Sequence, residues 1–219
     1  MSLAPLLESG WRALLDCFAP LRCPLCGSRL ESDARCRCCA IPLAAAARRQ
    51  LRSDREGEFL LIAGGTYEGP LRRLVHAFKY GRDPGALQML ASQATRALPE
   101  TRGWQALVPV PGHRRRVRER GWEPVMDLAV RVGGAGGLPV RRVLTRVLDT
   151  PPLTGRPAGE RRCMVRDAFR AVPVDGDLLV LDDVATTGAT FRACRSALLG
   201  AGARGVDLLV VAATPRRFF

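Results

Sequence analysis

The sequence predicts an α/β protein in which a parallel sheet with helices on both faces follows a small cysteine-rich module. Short apolar segments alternate with amphipathic ones over most of the chain, as in parallel sheets that are covered on both sides. Six of the eight cysteines lie between residues 17 and 39. The chain has 219 residues, 47% of them apolar and 25% charged, a balance that is typical of a folded protein and excludes disorder throughout.

The chain divides into two parts at about residue 50. Residues 1–50 are expected to hold an N-terminal helix, the cysteine-rich module and a connector, and a helical connector is predicted over 41–55, where an alanine run is followed by charges. Residues 51–219 would form the α/β domain. No apolar run approaches the roughly 18–20 residues that a membrane helix needs, and no signal-peptide cleavage pattern is present. We therefore expect a cytoplasmic protein without a membrane span.

The α/β part is predicted element by element from periodicity and from glycine and proline positions. Strands are predicted at 59–63, 66–67, 106–110, 138–144, 178–181 and 206–212, and helices at 70–80, 85–98, 123–132 and 191–199. Pro70 suits a first helical turn, and Gly81 would end that helix. The glycine-rich string 133–137 follows a helix, so it is interpreted as a helix stop and a loop.

The cysteine-rich module contains two C-x2-C knuckles, Cys23 with Cys26 and Cys36 with Cys39, separated by nine residues. Two knuckles can place four thiolates around one Zn²⁺ and so complete a closed tetrahedral site, which would serve folding or docking and not catalysis. Disulfides are the alternative in an oxidising compartment. Cys38 could also replace Cys36 or Cys39 as a ligand.

Basic residues dominate the charge of the chain. It carries 34 basic and 21 acidic residues, a formal net charge of +13, so anionic partners are expected. Lys79 is the only lysine, which suggests a site that needs a compact point charge. The run from His113 to Arg120 holds five arginines. It is either a solvated loop, a grip for pyrophosphate or a surface for single-stranded nucleic acid, with Arg120 at the margin of the active site.

The most informative string follows the apolar strand at 178–181. Two carboxylates come first, Asp182 and Asp183, and then a loop that opens a helix: Ala185, Thr186, Thr187, Gly188, Ala189 and Thr190. Gly188 permits positive φ, and the start of a helix favours a phosphate. Because adjacent aspartates would repel that phosphate, we expect the chain to turn at once and the carboxylates to face another part of the ligand.

A phosphorylated sugar resolves this conflict. Its hydroxyls would donate to Asp182 and Asp183 while its phosphate lies in the loop. The alternative interpretation is an ordinary strand–loop–helix junction with Thr190 as the N-cap and both aspartates solvated. A P-loop is excluded because the chain contains no G-x-x-x-x-G-K-[ST] string.

This string resembles the 5-phosphoribosyl-1-pyrophosphate (PRPP) signature of type I phosphoribosyltransferases. Further segments narrow the resemblance to the ComF (ComFC-like) proteins, which are associated with DNA uptake in competence. These segments are Val108-Pro-Val-Pro111 before the arginine run, Arg120-Gly121-Trp122, the stretch from Tyr67 to Gly81, Arg162 with Ala168-Phe169, and the double C-x2-C. The resemblance covers nearly the whole chain and implies a type I phosphoribosyltransferase-like fold with a zinc ribbon.

The resemblance also implies roles for the candidate residues. Asp182 and Asp183 would hold the ribose hydroxyls, and the loop from Ala185 to Thr190 the 5′-phosphate. Gly112 and His113 would cradle pyrophosphate, and Lys79 would meet phosphate or pyrophosphate charge. Mg²⁺ would be carried mainly by the substrate. Residues 149–164 would form a mobile loop over the site, and the reaction would transfer ribose 5-phosphate to a nitrogen nucleophile.

Three positions depart from the pattern of many ComF-like sequences. Trp122-Glu123-Pro124 stands where Phe-Asn-Gln is frequent, and Leu153 and Met164 stand where a glutamine and an asparagine are frequent. Each change removes amide hydrogen-bonding capacity near the acceptor side. The alternative function is therefore a competence factor that binds single-stranded DNA and keeps the PRPP fold without turnover, with a competence helicase as a candidate partner.

Overall fold

The computed structural model describes residues 20–32, 34–39, 48–100, 103–147 and 168–214, which hold seven strands and five helices. In chain order, the elements are β1 (Arg48–Asp54), β2 (Gly57–Ala63), α1 (Gly69–Gly81), α2 (Pro84–Ala97), β3 (Ala106–Pro109), α3 (Arg114–Arg120), α4 (Pro124–Gly136), β4 (Leu144–Arg146), β5 (Phe169–Ala171), β6 (Asp177–Ala185), α5 (Ala189–Gly200) and β7 (Gly205–Ala213).

Five of the strands form the central sheet, in the order β1-β2-β7-β6-β3. The four strands from β2 to β3 run parallel to their neighbours, and only the edge strand β1 is antiparallel. The strands β4 and β5 form a separate antiparallel pair. The predicted α/β class with a mostly parallel sheet is therefore confirmed. Within the described ranges, no helix is long and apolar enough to cross a membrane.

Both faces of the sheet are covered, which explains why its strands are continuously apolar. On one face, Leu179 and Leu181 of β6 share a buried cluster with residues of α1, α2 and α4. On the other face, Leu178 and Val180 share a cluster with residues of α5, β4 and β5. The alternation along one strand thus divides its side chains between two cores.

The cysteine-rich module packs against the first of these cores. Cys23 and Cys36 belong to the same buried cluster as Met89 and Leu90 of α2. The contact also involves backbone, because a Cβ atom added to Gly85 would lie only 2.0 Å from the carbonyl oxygen of Arg22. Only a glycine therefore fits at this point of α2.

A buried arginine fastens the β1–β2 hairpin to α5. The guanidinium of Arg195, which is only 2% exposed, forms ion pairs with Asp54 and Glu56. It also donates to the carbonyl oxygens of Glu56 and Glu58 at 3.2 and 3.1 Å. A buried guanidinium needs such partners to offset its desolvation, so Arg195 has a structural role.

The prediction of a helical connector over 41–55 is wrong for the part that the structure describes. Residues Arg48–Asp54 form strand β1, which pairs along its whole length with β2. The guanidinium of Arg49 also donates to the carbonyl oxygens of Ala97 and Leu98 at 2.8 and 2.9 Å. Pairing with a neighbouring strand therefore overrides the local helical composition. Residues 41–47 lie outside the described ranges.

Three smaller predictions are also corrected. The strand expected at 138–144 is reduced to a single bridge at Val140 and the short strand β4, which begins at Leu144. Helix α4 continues through the glycines to Gly136 and ends at Gly137, whose φ is +67°. The strand at 66–67 is a single bridge between Thr66 and Ala213. The remaining predicted helices and strands of the α/β part are found, with ends that shift by up to four residues. The predicted N-terminal helix lies outside the described ranges.

Candidate functional site

The four predicted zinc ligands lie together. The sulfur atoms of Cys23, Cys26, Cys36 and Cys39 all lie within 4.8 Å of one another. Two of these separations are 3.8 Å (Cys23 to Cys39) and 3.4 Å (Cys26 to Cys36). The edge of a tetrahedron with Zn–S bonds of about 2.3 Å is about 3.8 Å, so the four thiols fit a metal ion such as zinc.

Cys38 is the fifth cysteine of the module and lies outside this set. It is exposed, and its sulfur accepts a hydrogen bond from the Ser28 hydroxyl at 3.1 Å. The six described cysteines are all free thiols, so no disulfide forms among them. The choice that the sequence left open between Cys38 and its neighbours is therefore resolved in favour of Cys36 and Cys39.

The electrostatics of the cluster favour a cation. Hydrogen bonds from Ser28 lower the pKa of Cys26 to about 6. A hydrogen bond with Cys26 and burial instead raise the pKa of Cys39, and burial raises that of Cys23. The thiolate of Cys26 therefore forms easily, whereas ionisation of Cys23 or Cys39 beside it is unfavourable. A divalent cation would remove this opposition.

The second candidate site lies at the carboxyl edge of the parallel strands. In the sheet order, β3 lies beside β6 and β6 beside β7. The N–H of Val110, just after β3, donates to the carbonyl oxygen of Leu181 at 2.9 Å, so the turn at Gly112 begins beside the aspartates. Ligands of open α/β sheets bind at this edge.

Lys79 reaches this edge from α1. Its Nζ lies 2.8 Å from Oδ2 of Asp183, whose side chain is only 8% exposed. Burial opposes the charge of Lys79, but the carboxylate of Asp183 outweighs it and raises the pKa of the lysine. The only lysine of the chain is thus an ion-pair partner of one of the two predicted aspartates.

Asp182 has a strongly raised pKa. Burial raises the pKa of Asp182 to about 7, repulsion by Asp183 adds to this, and Lys79 acts in the opposite direction. Its Oδ1 accepts the backbone N–H of Asp183 at 2.8 Å. At neutral pH such a carboxyl group can both accept and donate a hydrogen bond, as a ligand with hydroxyl groups requires.

The strand continues further than the sequence predicted. Instead of turning at the aspartates, β6 runs to Ala185. The two residues nevertheless stay linked, because Oδ1 of Asp182 accepts the backbone N–H of Asp183. The alternative interpretation of an ordinary junction is wrong in both its details, because Asp183 is buried and the N-cap of α5 is Gly188, not Thr190.

The loop from Ala185 to Thr190 is held from two sides. The N–H and hydroxyl of Thr214 donate to the carbonyl oxygens of Ala185 and Thr186 at 3.0 and 3.2 Å. Gly188 has a φ of +67° and leads into α5, whose first residues are Ala189 and Thr190. The hydroxyl of Thr187 accepts the N–H of Ala189 at 3.5 Å. The loop therefore ends at a helix N-terminus, a favourable place for an anion.

The turn after β3 is closed by a side chain that the sequence analysis did not assign to it. The N–H of Gly112 donates to Oε1 of Glu123 at 3.1 Å, and the other carboxylate oxygen pairs with Arg142. His113 is half-buried at the N-cap of α3. The sequence marks Glu123 only as a departure from the family pattern, and nothing in it shows that the side chain turns back to Gly112.

The basic run forms the short helix α3, which has no buried residue. At its end, the Cζ atom of Arg120 lies 4.9 Å from the ring centre of Tyr80 on α1. Tyr80 is 69% exposed and lies 5.5 Å from the His76 ring. Arg82 lies 5.0 Å from the ring of Trp122. Aromatic rings and arginines that are far apart in sequence thus share one surface.

Part of the sequence prediction lies outside the described residues. The loop expected at 149–164 falls there, with its two departures at Leu153 and Met164. Comparison with known proteins adds no identification, since the chain matches no protein-family model and no curated protein sequence significantly.

Proposed function

We propose that this protein is a phosphoribosyltransferase-type protein that binds PRPP with Mg²⁺ and transfers its ribose 5-phosphate. The single observation that carries the proposal is the Asp182–Asp183 pair beside Lys79 at the carboxyl edge of the sheet, followed by the loop that opens α5. The resemblance to type I phosphoribosyltransferases and to ComF proteins supports it, including the phosphoribosyltransferase-like interpretation of the fold.

Each part of PRPP has a counterpart among these groups. The carboxyl groups of Asp182 and Asp183 suit the ribose hydroxyls, because Asp183 pairs with the ammonium of Lys79 while Asp182, whose pKa is raised to about 7, can accept and donate a hydrogen bond near neutral pH. The loop from Ala185 to Thr190 suits the 5′-phosphate. The Gly112 turn and Lys79 suit the pyrophosphate charge.

The reaction would break the bond between the anomeric carbon and pyrophosphate and form a bond to a nitrogen nucleophile, which loses a proton. Mg²⁺, when bound with the substrate, would neutralise charge on the leaving pyrophosphate. The oxygen ligands that Mg²⁺ prefers are present in Asp182 and Asp183. The chain's own residues would orient the sugar and fix both charged ends, so the catalysis would rest on positioning and charge stabilisation.

The direct test is a titration of the zinc-loaded protein with PRPP and Mg²⁺, followed by a pyrophosphate-release assay with a panel of bases and amines. We expect PRPP to bind the wild type and to bind Asp183→Asn much more weakly. Glu119→Gln is the matched control, because it also converts one carboxylate to an amide, at an exposed position of α3 where it pairs with Arg115. Absence of PRPP affinity in a folded, zinc-loaded wild type would overturn the proposal.

A second candidate function is single-stranded nucleic-acid binding, as in a competence factor. It is favoured by the surface formed by His76, Tyr80, Arg82, Arg120 and Trp122, since base stacking on aromatic rings and phosphate contacts to arginines are the usual means of binding single strands. Tyr80→Ala should then weaken binding of a single-stranded oligonucleotide, and the affinity should fall as salt rises. Affinity that does not change with salt would exclude this function.

A further inference from the structure

The contact between Glu123 and Gly112 places a negative charge where an anion is expected to bind. The N–H of Gly112 donates to Oε1 of Glu123 at 3.1 Å, and Oε2 pairs with the guanidinium of Arg142. The Glu123 side chain is 20% exposed and that of Arg142 is 65% exposed. The Glu123 carboxylate is thus bound by one backbone amide and one guanidinium, the two kinds of group that recognise phosphate oxygens.

Glu123 has other hydrogen-bond donors within its own element, because it lies at the start of α4. Glu123 is the N-cap of α4, but its side chain forms no hydrogen bond with that helix. A carboxylate at an N-cap usually accepts an N–H from its own first turn. Here the side chain turns away from α4 and binds the Gly112 N–H and Arg142 instead.

The turn itself is shaped for close approach. A Cβ atom added to Gly112 would lie 2.9 Å from Cγ2 of Val117 and 4.0 Å from Oε1 of Glu123. A larger residue would therefore press on Val117 of α3. The backbone at Gly112 remains accessible to an oxygen atom for this reason.

We propose that Glu123 is an internal competitor for the Gly112 turn, which an incoming pyrophosphate group must displace, and that it thereby sets the affinity of this turn for anions. The inference rests on the proposed function, which assigns pyrophosphate to the turn. When the carboxylate leaves, the Gly112 amide and the Arg142 guanidinium become available to the new anion. Glu123 is a specificity-determining residue, because an anion that binds the Gly112 turn more weakly than the Glu123 carboxylate does cannot displace it.

The test is calorimetric titration of the zinc-loaded protein with pyrophosphate at one fixed salt concentration. Glu123→Gln keeps the length of the side chain and an acceptor for Gly112 but removes the competing charge. We expect it to bind pyrophosphate about tenfold more tightly than the wild type, since like charges at one site are strongly unfavourable.

Glu119→Gln is the matched control. Glu119 lies on the adjacent helix α3, is 56% exposed and pairs with Arg115 at 2.6 Å. Its substitution changes the net charge equally but does not alter the Gly112 contact, so we expect a change of about twofold or less. Arg142→Gln should have the opposite effect to Glu123→Gln and weaken pyrophosphate binding several-fold. It leaves the Glu123 carboxylate without its partner and removes a guanidinium that would bind the anion.

A readout on the wild type makes the test independent of the folding of any variant. The amide resonance of Gly112 should shift as pyrophosphate is added, because the N–H exchanges one acceptor for another. Equal affinities of Glu123→Gln and Glu119→Gln would overturn the inference, as would a Gly112 resonance that does not respond or a protein that binds no pyrophosphate. PRPP binding that depends on Asp183 would then still support the proposed function, so the two failures are distinguishable.

Discussion

The four-cysteine cluster and the Asp182–Asp183 pair both gather acidic groups, but they differ in the source of the balancing charge. Beside Asp183 the chain provides its own cation, Lys79, at 2.8 Å. The cysteine cluster has four sulfurs within 4.8 Å of one another, and hydrogen bonds from Ser28 lower the pKa of Cys26 while a hydrogen bond with Cys26 and burial raise that of Cys39. A site with an internal cation can stay ordered without a ligand, whereas the cysteine cluster would need a bound metal ion to hold several thiolates together.

The largest expected effect comes from the cysteine cluster. Cys26→Ser should reduce the zinc content from one ion per chain to almost none and lower the free energy of unfolding by about 5 kcal/mol, because structural zinc contributes directly to folding. Zinc content by mass spectrometry and unfolding in denaturant would measure this. Cys38→Ser is the control and should retain the metal, since Cys38 lies outside the set. Equal losses in the two variants would contradict the ligand assignment.

The corresponding change at the carboxylates should affect ligand binding more than stability. Asp183→Asn removes the partner of Lys79, whose side chain is one quarter exposed and can turn to water. We expect the free energy of unfolding to fall by only about 1–2 kcal/mol and the affinity for PRPP by about tenfold or more. A double-mutant cycle with Lys79→Met should give a coupling of about 1–3 kcal/mol. A coupling near zero would show that the ion pair does not exist in solution.

Asp182 should make the free energy of unfolding fall as the pH rises towards 7. Its folded pKa, about 7, lies above the usual 3.8, so the folded state holds a proton that the unfolded state releases. The resulting stabilisation is complete below pH 3.8 and is lost as the pH rises to about 7. Asp182→Asn should therefore become more stable relative to the wild type between pH 5 and 7, by about 2 kcal/mol. Thermal unfolding of both proteins in this range measures it, and a constant difference would contradict the raised pKa.

The smallest effect is expected from Ser28→Ala. The Ser28 hydroxyl helps to lower the pKa of Cys26 to about 6, so the thiolate's contribution to stability is present above pH 9 and is lost as the pH falls through about 6. The pH at which half the zinc is released should therefore rise by about half a unit in Ser28→Ala. A zinc-release titration with a chromogenic chelator would detect this. An unchanged midpoint would show that the hydroxyl has no influence on the bound cluster.

Local pattern was sufficient to predict most of the central sheet. The apolar strands at 178–181 and 206–212 are recognisable because both faces of a parallel strand are buried, and they lie within β6 and β7. The four cysteine ligands are equally local, because the knuckle spacing itself brings each pair of sulfurs together. These features depend on neighbours in the sequence.

Features that depend on distant partners could not be predicted. Strand β1 exists because β2 lies beside it, and the composition of 48–54 contains no sign of that pairing. The position of Asp183 opposite Lys79 joins residues about a hundred positions apart. The Glu123–Gly112 contact depends on the direction of one side chain. The aspartates could be identified from the sequence, but the raised pKa of Asp182 follows from burial.

The absence of room at Gly85 has a consequence for how the cysteine-rich module is attached to the α/β domain. The carbonyl oxygen of Arg22, next to Cys23, lies only 2.0 Å from where a Cβ atom on Gly85 would be, and α2 follows directly after the helix that carries Lys79. Any side chain at Gly85 should therefore push the module away from α2 and weaken its attachment, although none of the four cysteines is changed.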